Sequence, residues 1–241
     1  ILIVFIAQGA LFVRVGRIDP FIGSSPVRAA EPIARLYAGG ELFLHIGVTL
    51  YETVLGFVLG TAAGTLIAIA LWWSPALNRV LDPYLVVLNA LPKIALGPIL
   101  IVWFGAGITR IIVMALLISF VVTIMSVLAG FNEITGEKQL LMKTLGASKL
   151  QIFTMVVLPA SLPTIMNALK ISVGMSWVGV IVGEYLVSKA GLGYLIVYGG
   201  QVFKLDLVMA SIVVLCLLAA LMYYGVAYME KKLVKWRMHG G

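Results

Sequence analysis

The sequence predicts an all-α fold, a polytopic membrane helix bundle of about six transmembrane helices in a single domain over residues 1–241. Three observations predict it. The chain is 62% hydrophobic and only 11% charged, with a mean hydropathy of +1.11. Soluble domains sit nearer half apolar and a quarter charged, so a water-soluble fold could not hide this much apolar surface. Residues 53–78, 111–132 and 207–229 are uncharged and long enough to cross a bilayer, which takes about 20 helical residues. Residues 137–163 form the longest amphipathic segment of an otherwise oily chain, with helical rather than strand spacing.

The elements follow in order. Residues 1–13 are apolar and uncharged, the visible part of a first span. The chain opens on Ile1 with no methionine. That reads as a trimmed natural N-terminus and a truncated span, in preference to a signal-peptide remnant, since no small-residue cleavage pattern follows. Residues 14–41 make a mixed loop with Pro20, Pro26 and Pro32, and residues 32–37 are expected as a short interfacial helix. Residues 42–52 approach the membrane as a helix, and residues 53–78 cross it. Gly56, Gly60 and Gly64 fall on one face of that span, where another helix backbone can approach closely.

Residues 79–83 read as a polar turn. The third span, residues 84–104, is interrupted at Leu91-Pro92-Lys93 and Gly97-Pro98. Proline removes a helical hydrogen bond, and the freed carbonyl must find another partner, so a kink or unwound step is expected there. Gly105-Ala106-Gly107 turns the chain, and residues 111–132 are a clean fourth span. The fifth span is expected at residues 160–183, a loop at 184–206, the sixth span at 207–229 and a basic tail at 230–241.

Between spans four and five lies EKQLLMKTLGASKLQIFTMVVLPASLP. Lys138, Gln139, Lys143, Thr144, Ser148, Lys149 and Gln151 supply its polar side, and Leu140, Leu141, Leu145, Leu150, Ile152 and Phe153 its apolar side. Gly146 interrupts it. Ser148 and Gln151 have the spacing of a capping box, so a second short helix is expected to start there. Pro159 and Pro163 mark the start of the next apolar helix. The result is a polar knuckle held between two spans.

This segment resembles the cytoplasmic loop of permease subunits of bacterial binding-protein-dependent ABC importers. That loop has the pattern E-A-A, three residues, G, nine residues, I, one residue, L-P. Gly146 falls on the glycine, Val156 on the isoleucine and Leu158-Pro159 on the final pair. Leu140, Leu141 and Met142 stand where the family has its glutamate and alanines, a departure from the pattern. The stretch TLGASKLQIFTMVVLPASLPTI is similar to the nitrate, sulfonate, taurine and bicarbonate branch.

The resemblance implies a coupling segment at about residues 137–158 that docks into a separate ATPase subunit. Its contact residues would be Leu141, Lys143, Thr144, Leu145, Gly146, Ala147, Ser148, Lys149, Gln151, Phe153 and Pro159. Leu145, Leu150 and Phe153 would fill the apolar part of the ATPase groove. It further implies two ATPase subunits, a second permease (an identical copy or a sister chain), an extracytoplasmic solute-binding protein and a bacterial cytoplasmic membrane. A small anion, or a vitamin precursor, would be the substrate. ATP and magnesium would bind the partner ATPase and no cofactor this chain.

The chain's own residues fit a non-enzymatic role. No Gly-Lys-Ser/Thr phosphate loop, HExxH or GxSxG occurs. The lone Cys216 excludes an internal disulfide. His45 and His239 lack partners at metal-ligand spacing and read as ordinary surface or interface residues.

Asn89, Lys93, Lys170, Met175, Ser176, Trp177 and Glu184 are candidates for a translocation path. For Lys93 and Lys170 an anion-lining role competes with snorkelling to the interface, which their nearness to helix starts favours. An aromatic such as Trp177 is more often packing than pore. Glu184 reads best as a tie between a helix end and a neighbouring segment. Lys and Arg number eight on the knuckle side and seven on the other, so charge alone barely orients the chain. A stand-alone secondary transporter or channel is the alternative class, against which no matching second broken span appears.

Overall fold

The computed structural model describes residues 26–105, 107–134 and 136–238. The expected first span at residues 1–13 and the tail residue His239 lie outside them. Helices α1 (Pro26–Ala38), α2 (Glu41–Trp73), α3 (Pro75–Ala90), α4 (Gly97–Phe104) and α5 (Ile108–Asn132) come first. Then come α6 (Gly136–Thr144), α7 (Lys149–Ile152), a π-helical turn (Phe153–Val157), α8 (Leu158–Val187), α9 (Leu192–Gln201) and α10 (Leu205–Met238).

Helix α5 is the centre. Side chains added at Gly56, Gly60 and Gly64 of α2 would collide with Ala115, Ser119 and Thr123 of α5. The glycine face therefore is a close-packing face, as its four-residue spacing predicts. From the other side, Gly179 of α8 lies against the backbone of Ala115 and Gly183 against Ile111. Ala115 is thus clamped between two glycines. The hydroxyls in these spans bond back to carbonyls one turn earlier, as Thr53 does to Thr49 and Ser119 to Ala115. Thr123 and Ser172 also meet across α5 and α8 at 2.7 Å.

The register fixes direction. Residue numbers rise together along α2 and α5, so those helices run parallel, whereas α8 runs antiparallel to α5. The chain between Trp73 and Ile108 must therefore travel the length of the bundle. Helices α3 and α4, bent by 86° about the 3-10 turn Lys93–Leu96, make that crossing. Leu85 joins the core at the knuckle end, with Leu71, Val127, Phe131 and Phe153. Leu100 packs at the opposite half, with Met114 and Ile118. The pair is a broken span rather than a loop that returns to its own side. The described residues thus hold five spans.

Several expected boundaries move. The approach at residues 42–52 and the span after it are one unbroken helix, α2. It ends at Ser74, whose backbone is extended and whose hydroxyl accepts from the Leu77 N–H, with Pro75 in the first turn of α3. The expected turn at residues 79–83 is consequently helical. The expected loop at residues 184–206 contains α9. The interfacial helix expected at 32–37 is part of the longer α1, which carries an exposed Glu31–Arg35 pair at 3.4 Å.

The bend in the third span comes at Leu91-Pro92, where the proline places it. Pro92 has no N–H to give the Leu88 carbonyl, and one residue further on the Lys93 ammonium donates to the carbonyl of Asn89 at 3.0 Å. Lys93 also reaches the Asn89 side-chain oxygen at 3.4 Å. A cation at the C-terminal end of α3 is favourably placed against the helix dipole.

Candidate functional site

The knuckle forms as its local chemistry dictates. Helix α6 stops before Gly146, which adopts φ +79° with open space where a side chain would point. Ser148 then caps α7. Its hydroxyl accepts from the Gln151 N–H at 3.3 Å, and its own N–H donates to Gln151 Oε1 at 2.7 Å.

The surface of the knuckle is mixed. Lys143, Thr144, Ser148 and Gln151 are exposed, and so are Leu141, Leu145 and Leu150, at 61%, 74% and 59%. Ala147 and Pro159 are half-buried. Phe153 corrects the expectation that it faces outward. It is buried against Trp72, Trp73 and Phe131, with ring centroids 4.9, 6.1 and 5.5 Å away. It roots the knuckle instead of offering a contact. Lys149 stays exposed but leans back over the end of α2. Its ammonium donates to the carbonyl of Trp73, the last residue of α2, and sits 5.6 Å from the Trp72 and Trp73 ring centres. A cavity of about 420 Å³ separates this knuckle from the start of α3 and is lined by Asn78, Asn132, Gln139 and Lys143.

The candidate path residues do not come together. Asn89 and Lys93 serve the bend. Lys170 pairs with Glu230 of α10 at 2.9 Å, both side chains largely covered. Trp177 is buried with Met166, Val173 and Val226 between α8 and α10, while Met175 packs on the other side of α8 against Leu100, Met114 and Ile118. Ser176 is buried.

At the end away from the knuckle lies a buried polar joint, of which sequence reasoning found Glu184 but missed His45, Thr49 and Glu52. Glu184 accepts from the Thr49 hydroxyl at 2.7 Å and from the Gly193 N–H at 2.5 Å. Thr49 in turn accepts from the Leu192 N–H at 2.8 Å. His45 is no surface residue; it is 7% exposed and its Nδ1 accepts from the Gly191 N–H at 2.9 Å. Glu52 lies beside Glu184, fully buried. The available signal was the helical spacing of His45, Thr49 and Glu52 on one face of α2, facing the glycines of Gly191-Leu192-Gly193. The joint ties the end of α8 and the head of α9 to α2, the tie expected of Glu184.

Comparison with known proteins agrees with this architecture. Residues 56–235 match the family described as binding-protein-dependent transport system inner membrane component. A putative aliphatic sulfonates transport permease protein, SsuC of Bacillus subtilis, is 32% identical over 97% of this chain and 85% of its own length. The taurine transport system permease protein TauC of Escherichia coli is 30% identical over 92% of this chain and 82% of its own. In fold, the chain is similar to one from the inward-facing MetNI methionine ABC transporter. The TM-score there is 0.66 at 20% identity, over 84% of this chain and 98% of that one. With a family match over most of its length, five spans and a rooted knuckle, this chain belongs to the inner membrane components of binding-protein-dependent transport systems, as a permease of an ABC importer.

Proposed function

We propose that this permease works as one of a pair in the cytoplasmic membrane, each copy driven by a separate ATPase seated on residues 136–152. A solute-binding protein on the outer side delivers the substrate, a small sulfonate-type anion. ATP and its magnesium bind to the ATPase.

One observation carries the docking reading. Leu140, Leu141, Leu145 and Leu150 stand exposed among the polar side chains of the knuckle. Leucines gathered on an aqueous surface mark a contact that something covers. Beneath them the knuckle is rooted in three spans: Phe153 packs on Phe131 of α5, Lys149 grips the end of α2, and α7 runs through the π turn into α8. A push on the leucines therefore moves α2, α5 and α8 as one body, and closure of the two ATPases tilts both permeases. The sulfonate reading rests on the relatives that transport sulfonates and taurine.

Purification in mild detergent through a tag on this chain tests the assembly. An ATPase in equal amount is the expected companion, and ATP-driven uptake of taurine or an alkanesulfonate into liposomes, with the binding protein added, is the expected activity. A chain that purifies alone and moves solute without ATP contradicts it.

A further inference from the structure

Helices α2, α8 and α9 close around two carboxyl groups, those of Glu52 and Glu184, which are 0% and 1% exposed. Their donors distinguish them. Glu184 receives the Thr49 hydroxyl and the Gly193 N–H. Neither oxygen of Glu52 meets an N–H or O–H donor among the described residues. Thr49, one turn before Glu52 on α2, donates to Glu184, which brings the two carboxyls against each other. Two carboxylates cannot make that contact, because each is an acceptor only. A buried ion without a donor is also strongly disfavoured. One proton between them converts the clash into a short O–H···O⁻ bond, among the stronger kinds.

We infer that Glu52 and Glu184 form a binding site for a single proton, carried by Glu52 and shared with Glu184, and that this proton fastens the head of α9 to α2. The surroundings suit such a site. Gly191 and Gly193 leave room for the Glu184 carboxyl, which a side chain at either position would strike. Thr49 and His45 hold the Leu192 and Gly191 N–H groups. The other titratable groups nearby are His45 and, beyond it, Glu41 on α2, Tyr185 on α8 and Tyr194 on α9. Among the described residues neither carboxyl has a lysine or arginine partner.

Infrared difference spectroscopy of the detergent-purified transporter complex, wild type against Glu52→Gln, is the test. The glutamine amide still donates to Glu184, so the variant keeps the joint. A protonated-carboxyl C=O band is expected in wild type at neutral pH, shifted in D₂O and absent from Glu52→Gln. Raising the pH far enough should remove the band. Absence of a difference band at neutral pH overturns the assignment. So does a melting temperature that rises with added sodium in place of the band, which would make the ligand a metal ion. Should Glu52→Gln fail to accumulate, the wild-type spectrum decides alone: a protonated-carboxyl band that vanishes on raising pH supports the site, and none at any pH overturns it. Glu52 is remote from the knuckle, so ATPase capture by Glu52→Gln reports separately on the proposed function.

Discussion

Gly146 sits at φ +79° with nothing within 4 Å of where a side chain would point, so the obstacle to substitution is backbone strain alone. Gly146→Val is expected to cost about 1–2 kcal/mol and to tilt α7, whereas asparagine tolerates this conformation better. Uptake should survive in Gly146→Asn and become uncoupled from ATP hydrolysis in Gly146→Val, with both proteins present in the membrane. Paired assays of hydrolysis and uptake in liposomes check this. Lys149→Met keeps the stem but removes the charge over the tryptophans and the contact with the end of α2. A loss of about 1 kcal/mol in thermal stability is expected. The Gly146 turn and the Ser148–Gln151 box were legible in the sequence because capping chemistry is local. The burial of Phe153 and the lean of Lys149 over the end of α2 were not, because Phe131 and the end of α2 select those directions, and both lie far away in sequence. The same applies to Glu52, whose partner Glu184 is on another helix.

Among the elements, the three-helix core of α2, α5 and α8 leaves no room at Ala115, held between Gly56 and Gly179. Ala115→Leu should destabilise by about 1–3 kcal/mol through overpacking. The readout is melting temperature and yield in detergent, with the exposed Leu217→Ala as the neutral control. The Lys170–Glu230 pair ties α8 to α10. Lys170→Met alone strands a largely covered carboxylate, so adding Glu230→Gln should restore part of the lost stability, a non-additivity that a double-mutant cycle measures. The glycine face of α2 and the proline break of the third span were legible from residue spacing and backbone chemistry. The boundary at Ser74 was not, since Ser74-Pro75 lies inside an uncharged run where hydropathy gives no signal. Helix α9 was hidden for a related reason: it is 10 residues long and contains three of the glycines that read as loop.

For the whole molecule, the parallel run of α2 and α5 fixes which segments share an end of the bundle. It places α6, α7 and the last turns of α10 at one end of the bundle, and Gly105, Gly107, Lys189 and the head of α2 at the other. Single cysteines introduced at Lys138 and Lys232 on a Cys216→Ser background should label from the cytoplasmic side, and one at Lys189 from the opposite side. Labelling of Lys138 and Lys189 positions from the same side contradicts the topology. On the proposed function, rooting the knuckle in α2, α5 and α8 lets force from an ATPase reach the bundle core. The most direct measurement of that claim replaces Leu145 and Leu150 with aspartate and follows ATPase capture together with ATP-driven uptake. The account predicts a permease at wild-type level in the membrane, without its ATPase and without uptake. Capture and uptake unchanged by both aspartates would contradict it.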